Sequence, residues 1–288
     1  MASAADFARL SRPRDWVKNL LILAPVPFAL AAGASLHAPA LALGFAAFCL
    51  ANSAAFAFND ALDAEADRLH PRRRARPVAA GRISRRAALL FSAALAALAL
   101  ALAAASRSVG ALASIATYLA LTVAYSARGK HVALLDVFLL SAGYVLRVLM
   151  GVALVERPPS NWLILCSSAL ALFLALAKRR ADLAAAGGAG VRPSLGGYTL
   201  GFAEHAMSIF AGLSVISYAM YCMESRVLIE GREFASLPFA VYGVLHYQRL
   251  VLVHQEGGEP VSAILASPTL LACTAAWALA VTWSLGLL

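Results

Sequence analysis

Long apolar runs alternate with short charged segments from one end of the chain to the other. Nine such runs stand out, near residues 16–32, 38–58, 87–105, 109–126, 132–154, 160–177, 203–223, 235–253 and 261–286. Each is close to the roughly 20 residues that carry a helix across a bilayer. The pattern predicts an all-α polytopic membrane protein of about nine transmembrane helices, with residues 1–288 forming a single unit. The first run ends Ala-Leu-Ala-Ala-Gly-Ala-Ser, which resembles a signal-peptide cleavage site. It is read instead as the first span, because it carries two prolines and the interfacial pair Trp16 and Lys18.

Composition agrees with that pattern. The chain is 61% hydrophobic and 14% charged, against about 25% charged in soluble domains. Cys49, Cys166, Cys222 and Cys273 all lie in apolar runs without a Cys-x-x-Cys pair, so they read as small buried hydrophobes. The histidines show no ligand spacing. A net charge of +9 calls for an anionic partner, and beside a membrane that means headgroups or a phosphorylated substrate before nucleic acid. Most of the 24 Lys and Arg fall before span 1 and in the loops after spans 2, 4 and 6. By the positive-inside rule that face is cytoplasmic. The loop 187–197 and the turn Gly257-Gly258-Glu259-Pro260 are flexible by composition and fall on the same face. No Walker loop or dinucleotide fingerprint is present.

The chemistry concentrates where span 2 meets its arginine-rich loop. Asn59-Asp60-Ala-Leu-Asp63-Ala-Glu-Ala-Asp67 places Asn59, Asp63 and Asp67 four residues apart. On a helix each is turned only about 40° from the last, so the three share a face. Carboxylates at a helix C-terminus oppose its dipole. Either a divalent metal or the neighbouring arginines must offset them, and such oxygen ligands suit Mg²⁺ bridging to substrate phosphates. Further polar groups are expected on the same face. They are Lys18 with Arg12 and Arg14, the segment Tyr125 to Lys130 with Asp136 beyond it, and Lys178, Arg179, Arg180 and Asp182 at the end of span 6. Arg147 lies inside span 5, where an ionised group needs a partner or water; Asp136 or a substrate phosphate is its expected partner.

These blocks carry a family resemblance. Asn-Asp-x-x-Asp-x-x-x-Asp on span 2 is similar to the first aspartate motif of the UbiA superfamily of membrane prenyltransferases. Arg12-Pro-Arg-Asp-Trp-Val-Lys-Asn19, Asp67-Arg68-x-His70-Pro71 leading to Arg76-Pro-Val-Ala-Ala-Gly81, Tyr125 to Lys130, and Lys178-Arg-Arg-Ala-Asp-Leu183 resemble one branch of it, the decaprenyl-phosphate phosphoribosyltransferases. The resemblance implies nine helices around a cytoplasm-facing polar cavity in a bacterial plasma membrane, and leaves room for a homo-oligomer. It further implies Mg²⁺ on Asn59, Asp63 and Asp67, with Asp60 in support. Lys18, Arg68, Arg74, Tyr125, Lys130, Asp136, Arg147, Lys178, Arg179 and Asp182 would meet the substrates, 5-phosphoribosyl 1-diphosphate and a polyprenyl phosphate.

Ordinary prenyltransferases of the superfamily carry a second aspartate-rich motif near the end of span 6. Here that place holds Lys178, Arg179 and Arg180 with one acid, Asp182, which favours direct phosphate binding by cations. A prenyl-diphosphate transferase is the nearest rival reading. A transporter predicts charges at the membrane midplane and repeat symmetry, whereas these charges cluster at one face. A lipid-binding protein explains the basic loops but not the acid ladder.

Overall fold

The computed structural model describes residues 3–69, 71, 73–185, 193–255 and 260–288, and among them the chain is helical with no strand. His70, Arg192 and residues 257–259 of the expected flexible turn lie outside the described residues. Loop 187–197 is described from Pro193, where it forms a short 3-10 turn to Gly197.

Six helices are long and apolar enough to cross a membrane: α3 (Ala38–Leu62), α5 (Arg85–Ala105), α6 (Val109–Ala127), α7 (Leu135–Leu154), α8 (Asn161–Ala185) and α9 (Leu200–Glu224). The other three apolar runs form shorter pieces. Run eight becomes α10 (Leu237–Leu252), whose 16 residues rise about 24 Å, short of the ~30 Å hydrocarbon core. Run nine is divided into α11 (Pro260–Ala266) and α12 (Pro268–Ser284), because Ser267 caps α12 and Pro268 cannot continue the helix before it.

Run one is not a continuous α-helix. It is a 3-10 helix, Pro13–Leu23, followed by α2 (Val26–Ala31). Prolines at 25 and 27 remove backbone donors at the junction. The 3-10 period of three residues per turn is visible in what is buried: Asn19, Ile22 and Pro25 are enclosed, while Arg14, Leu20 and Leu23 are exposed. The same period puts Asp15 and Lys18 on one row, where they form an ion pair. Ahead of it lies α1 (Ala4–Ser11), opened by a capping box between Ser3 and Asp6. The bonds from Ser3, reinforced by Arg82 at 2.9 Å, hold the Asp6 carboxyl below its ordinary pKa.

Packing divides the bundle in two. One buried cluster, with Ile22, Ala47, Phe48, Ala51, Ala103, Ile115, Met150 and Leu154, joins the 3-10 helix to α3, α5, α6 and α7. A second, with Val137, Phe173, Leu176, Met207, Tyr247 and Val251, joins α7 to α8, α9 and α10. Helix α7 therefore belongs to both. Small residues let α3 and α5 approach closely, as is usual where lipid supplies no hydrophobic drive between helices; the Ser92 hydroxyl on α5 donates to the Ala54 carbonyl of α3 at 2.8 Å. A third cluster, of Leu10, Ala57, Ala61, Ala64, Val78 and Ile83, seats α1 and the loop after α4 (Ala64–Leu69) on the end of α3.

The 3-10 helix is pressed onto α7 at Gly151. A Cβ built there would overlap the Ile22 carbonyl oxygen and come within 2.9 Å of its carbon, both rigid backbone atoms. A Cβ at Gly143 would meet nothing nearer than 3.4 Å. Gly151→Ala is accordingly expected to destabilise the protein by about 1–3 kcal/mol. Gly143→Ala should be neutral or mildly stabilising, since alanine is the better helix former. Thermal unfolding of the purified variants in detergent compares the two.

Candidate active site

The acid ladder survives a break in the helix. Helix α3 ends at Leu62 and Asp63 is its C-cap, yet the i to i+4 bonds run on: the Asp63 amide donates to Asn59 O at 2.9 Å and the Asp67 amide to Asp63 O at 2.8 Å. Asn59, Asp63 and Asp67 thus stay on one side of a nearly continuous helix through α4. Their surroundings differ sharply. Asn59 and Asp63 are half-buried, whereas Asp60 is 1% and Asp67 2% exposed.

Cations from three other segments neutralise this end. The Arg12 guanidinium donates to Asp60 Oδ1 at 2.6 Å. Arg76 bridges two acids, at 3.2 Å from Asp60 Oδ1 and 2.6 Å from Asp67 Oδ2. Arg73 lies 4.0 Å from Asp67 Oδ1. Lys130, on the 3-10 turn Gly129–His131, forms an ion pair with Asp63, and the Ser126 hydroxyl donates to Asn59 Oδ1. Asp60 Oδ2 is buried without a hydrogen-bond partner. Buried lone pairs are seldom left unmet, so an orphaned carboxylate oxygen next to Asn59 and Asp63 fits a hard cation such as Mg²⁺. Among the described residues no three His, Cys, Asp or Glu side chains form a ready metal cluster. The oxygens present suit an ion that takes one or two carboxylates and completes its shell with phosphate and water.

The remaining expected residues occupy distinct places. Arg68 donates to the Ala79 carbonyl at 3.2 Å, Arg74 is exposed on the 3-10 turn Arg73–Ala75, and Tyr125 and Lys178 are half-buried. Lys18 pairs with Asp15. Arg147 is not paired with Asp136, as its position on span 5 led one to expect. Its Nε donates to Asn19 Oδ1 at 2.8 Å, Nη1 to Gly143 O at 2.6 Å and Nη2 to Asn52 Oδ1 at 3.4 Å. The Phe48, Tyr118 and Tyr144 rings surround it at 4.6–5.6 Å. That enclosure satisfies the guanidinium without a carboxylate, and Arg147 ties the 3-10 helix and α3 to α7.

Arg179 also departs from expectation. It does not present a fork to solvent. Its side chain is 0% exposed, with Nε 3.1 Å from Asp136 and Nη1 2.7 Å from Asp182. Arg180 is likewise turned inward, to Glu204 at 3.1 Å and the Val251 carbonyl at 2.9 Å. Asp136, 1% exposed, accepts from Tyr198 Oη at 2.7 Å and Ser194 Oγ at 3.0 Å. Two of the three cations at the end of α8 are therefore structural, and Lys178 is the one left half-buried. The expectation that the neighbouring arginines offset the acids is met by Arg73 and Arg76, while the pairing roles of Arg12, Ser126 and Tyr198 were not read from the sequence. The Arg12-Pro-Arg and Arg76-Pro blocks were visible, but nothing local says that both converge on Asp60.

Cavities of about 350 and 700 Å³ open at the other end of the bundle, around Gly33, His37, Leu154 and Arg157, and around Phe28, Pro159, Tyr221 and Arg226. No residue of the acid ladder lines them, so the chemistry is placed by the side-chain constellation and not by these voids.

Residues 20–267 match the model of the UbiA prenyltransferase family. The chain belongs to the UbiA prenyltransferase family. Among its UbiA relatives, the decaprenyl-phosphate phosphoribosyltransferase of Corynebacterium glutamicum is 34% identical over 92% of this chain and 82% of its own length. That of Mycobacterium tuberculosis is 33% identical over 95% and 92%. A UbiA homolog from Archaeoglobus fulgidus, solved bound to DMAPP and Mg²⁺, superposes with a TM-score of 0.75 over 98% of this chain and 100% of that one, at 23% identity. It shares the fold.

The double bridge of Arg76 gives a test of how this UbiA site is held. Arg76→Ala removes the nearer cation from Asp67, leaving Arg73 at 4.0 Å among the described residues, and should cost about 1.5–3 kcal/mol, the range for hydrogen bonds to charged groups. Arg68→Ala loses one bond to a backbone carbonyl and should change stability by less than about 1 kcal/mol. Comparing the two unfolding midpoints checks the assignment.

Proposed function

We propose that this UbiA enzyme transfers the 5-phosphoribosyl group of 5-phosphoribosyl 1-diphosphate to a polyprenyl phosphate such as decaprenyl phosphate, releasing diphosphate and leaving a lipid-linked phosphoribose. The observation that carries the reading is identity of 33–34% across more than nine-tenths of the chain to two proteins of that name. Lys178, half-buried at the end of α8, fits the same reading. The alternative, transfer of a prenyl group from a prenyl diphosphate to a small acceptor, is favoured by the neighbour bound to DMAPP, and shares only the fold and the first acid motif.

Asn59 and Asp63, with Asp60 and Asp67 beside them, would hold Mg²⁺, which when bound neutralises charge on a diphosphate leaving group. Lys130 lies against Asp63 and would move its ammonium onto the donor's diphosphate as the C1–O bond breaks. Arg68, Arg74, Lys18 and Lys178 would hold the donor and acceptor phosphates, Lys178 as a compact point charge. Tyr125 would sit beside them. The acceptor phosphate is anionic at neutral pH, so its oxygen would attack C1 without a general base. Asp136, Arg179, Asp182 and Arg147 would act at one remove, by fixing the elements that carry these groups. Catalysis is then mainly positioning and charge. The site would face the cytoplasm of a bacterial plasma membrane, on the arginine-rich side.

Four measurements bear on this. Detergent-solubilised protein should move radiolabel from phosphoribosyl diphosphate into organic-extractable lipid. The activity should be lost in EDTA, restored by Mg²⁺, and largely lost in Asp63→Asn with folding intact; consumption of a prenyl diphosphate instead would establish the alternative. Lys178→Ala should weaken phosphoribosyl diphosphate by about 1.5–3 kcal/mol, with lipid phosphate less affected. For orientation, a cysteine at the exposed Ala80 should be shielded from an impermeant thiol reagent in intact cells, and one at Glu230 should react.

A further inference from the structure

Leu134, just before α7, has φ 66° and ψ −48°, a region that residues with a Cβ rarely occupy. It ends the segment 128–134 that carries Lys130. Its carbonyl accepts from the first amides of α7, and its amide is met by a side chain from another loop. The Leu134 amide donates to Tyr198 Oη at 2.7 Å, and the same hydroxyl donates to Asp136 Oδ1 at 2.7 Å. Tyr198 is 6% exposed. Burial, and the bond to Asp136, raise its pKa well above the ordinary phenol value, so it remains a neutral donor. Its own segment is fixed independently: Ser194 Oγ bonds Asp136, a Cβ at Gly197 would stand 2.5 Å from that of Ala133, and Arg179 grips Asp136 from α8.

We infer that Tyr198 is a positioning residue for the donor site. Its hydroxyl pins the disfavoured backbone at Leu134, and that conformation carries Lys130 onto Asp63. Through Asp136 the same hydroxyl joins the Lys130 loop to Arg179, next to Lys178. One phenol thus sets the spacing between the two lysines proposed to hold the ends of a doubly phosphorylated donor. This rests on the reading of Lys130 and Lys178 given above.

The test removes only the hydroxyl. Tyr198→Phe should raise KM for phosphoribosyl diphosphate about five- to tenfold, the equivalent of one net hydrogen bond. KM for lipid phosphate should stay within about twofold, a split that a general loss of stability would not give. Spin labels at Glu65→Cys and His131→Cys, both exposed positions, in a chain with its native cysteines replaced by alanine, should give a narrow distance distribution that Tyr198→Phe broadens. An unchanged distribution, or an unchanged donor KM in the active variant, overturns the inference. If the wild type does not use phosphoribosyl diphosphate, the functional reading fails and the distance arm alone decides whether Tyr198 positions the loop. If Tyr198→Phe does not fold, Ser194→Ala should broaden the same distribution to a smaller extent, and no broadening there also overturns it.

Discussion

The constraint on which the structure turns is charge at the end of α3. Two carboxylates, Asp60 and Asp67, are enclosed at the end of a helix, where buried charge needs partners and the helix dipole offers none. No residue on the same helix can relieve this. Relief comes from Arg12, which requires α1 and the 3-10 helix to dock; from Arg76 and Arg73, which require the loop after α4 to fold back; and, at Asp63, from Lys130 on the far side of α6. The tertiary structure of this end is largely the set of connections needed to bring those cations in. The apolar cluster around Leu10, Ala57, Val78 and Ile83 is the packing that accompanies them.

Helix α7 plays the corresponding role deeper in the bundle. It is shared by both buried clusters, and it meets each half through contacts about three turns apart on one face. Arg147 and Gly151, one turn apart, receive the 3-10 helix. Asp136, at its start, receives Tyr198 and Arg179. A shift of α7 would therefore disturb the N-terminal segment and the loop before α9 together.

Hydrophobic runs were enough to place the six long apolar helices, because burial in lipid imposes a simple length rule that needs no knowledge of neighbours; they did not foresee that the other three runs form shorter pieces. The acid ladder was legible too: a spacing of four is a local property of one helix, and it persisted through the cap at Asp63. What was not legible depended on partners distant in sequence. Arg147 looked toward Asp136 because both lie on one helix, yet Asn19, 128 positions away, is what satisfies it. Arg179 looked like a phosphate fork because its neighbours are cationic, yet it is buried, with Nε beside Asp136 and Nη1 on Asp182. The 3-10 helix had a local signal, a spacing of three through Trp16, Asn19, Ile22 and Pro25, but an apolar run of that length is more readily read at the α-helical period.

That 3-10 helix also alters how far the first apolar run reaches. Its 11 residues advance about 22 Å at the 3-10 rise of 2.0 Å, against about 16.5 Å in an α-helix. The tighter winding stretches this part of the first apolar run by about 5.5 Å, while its leading end stays anchored by Arg12 on Asp60.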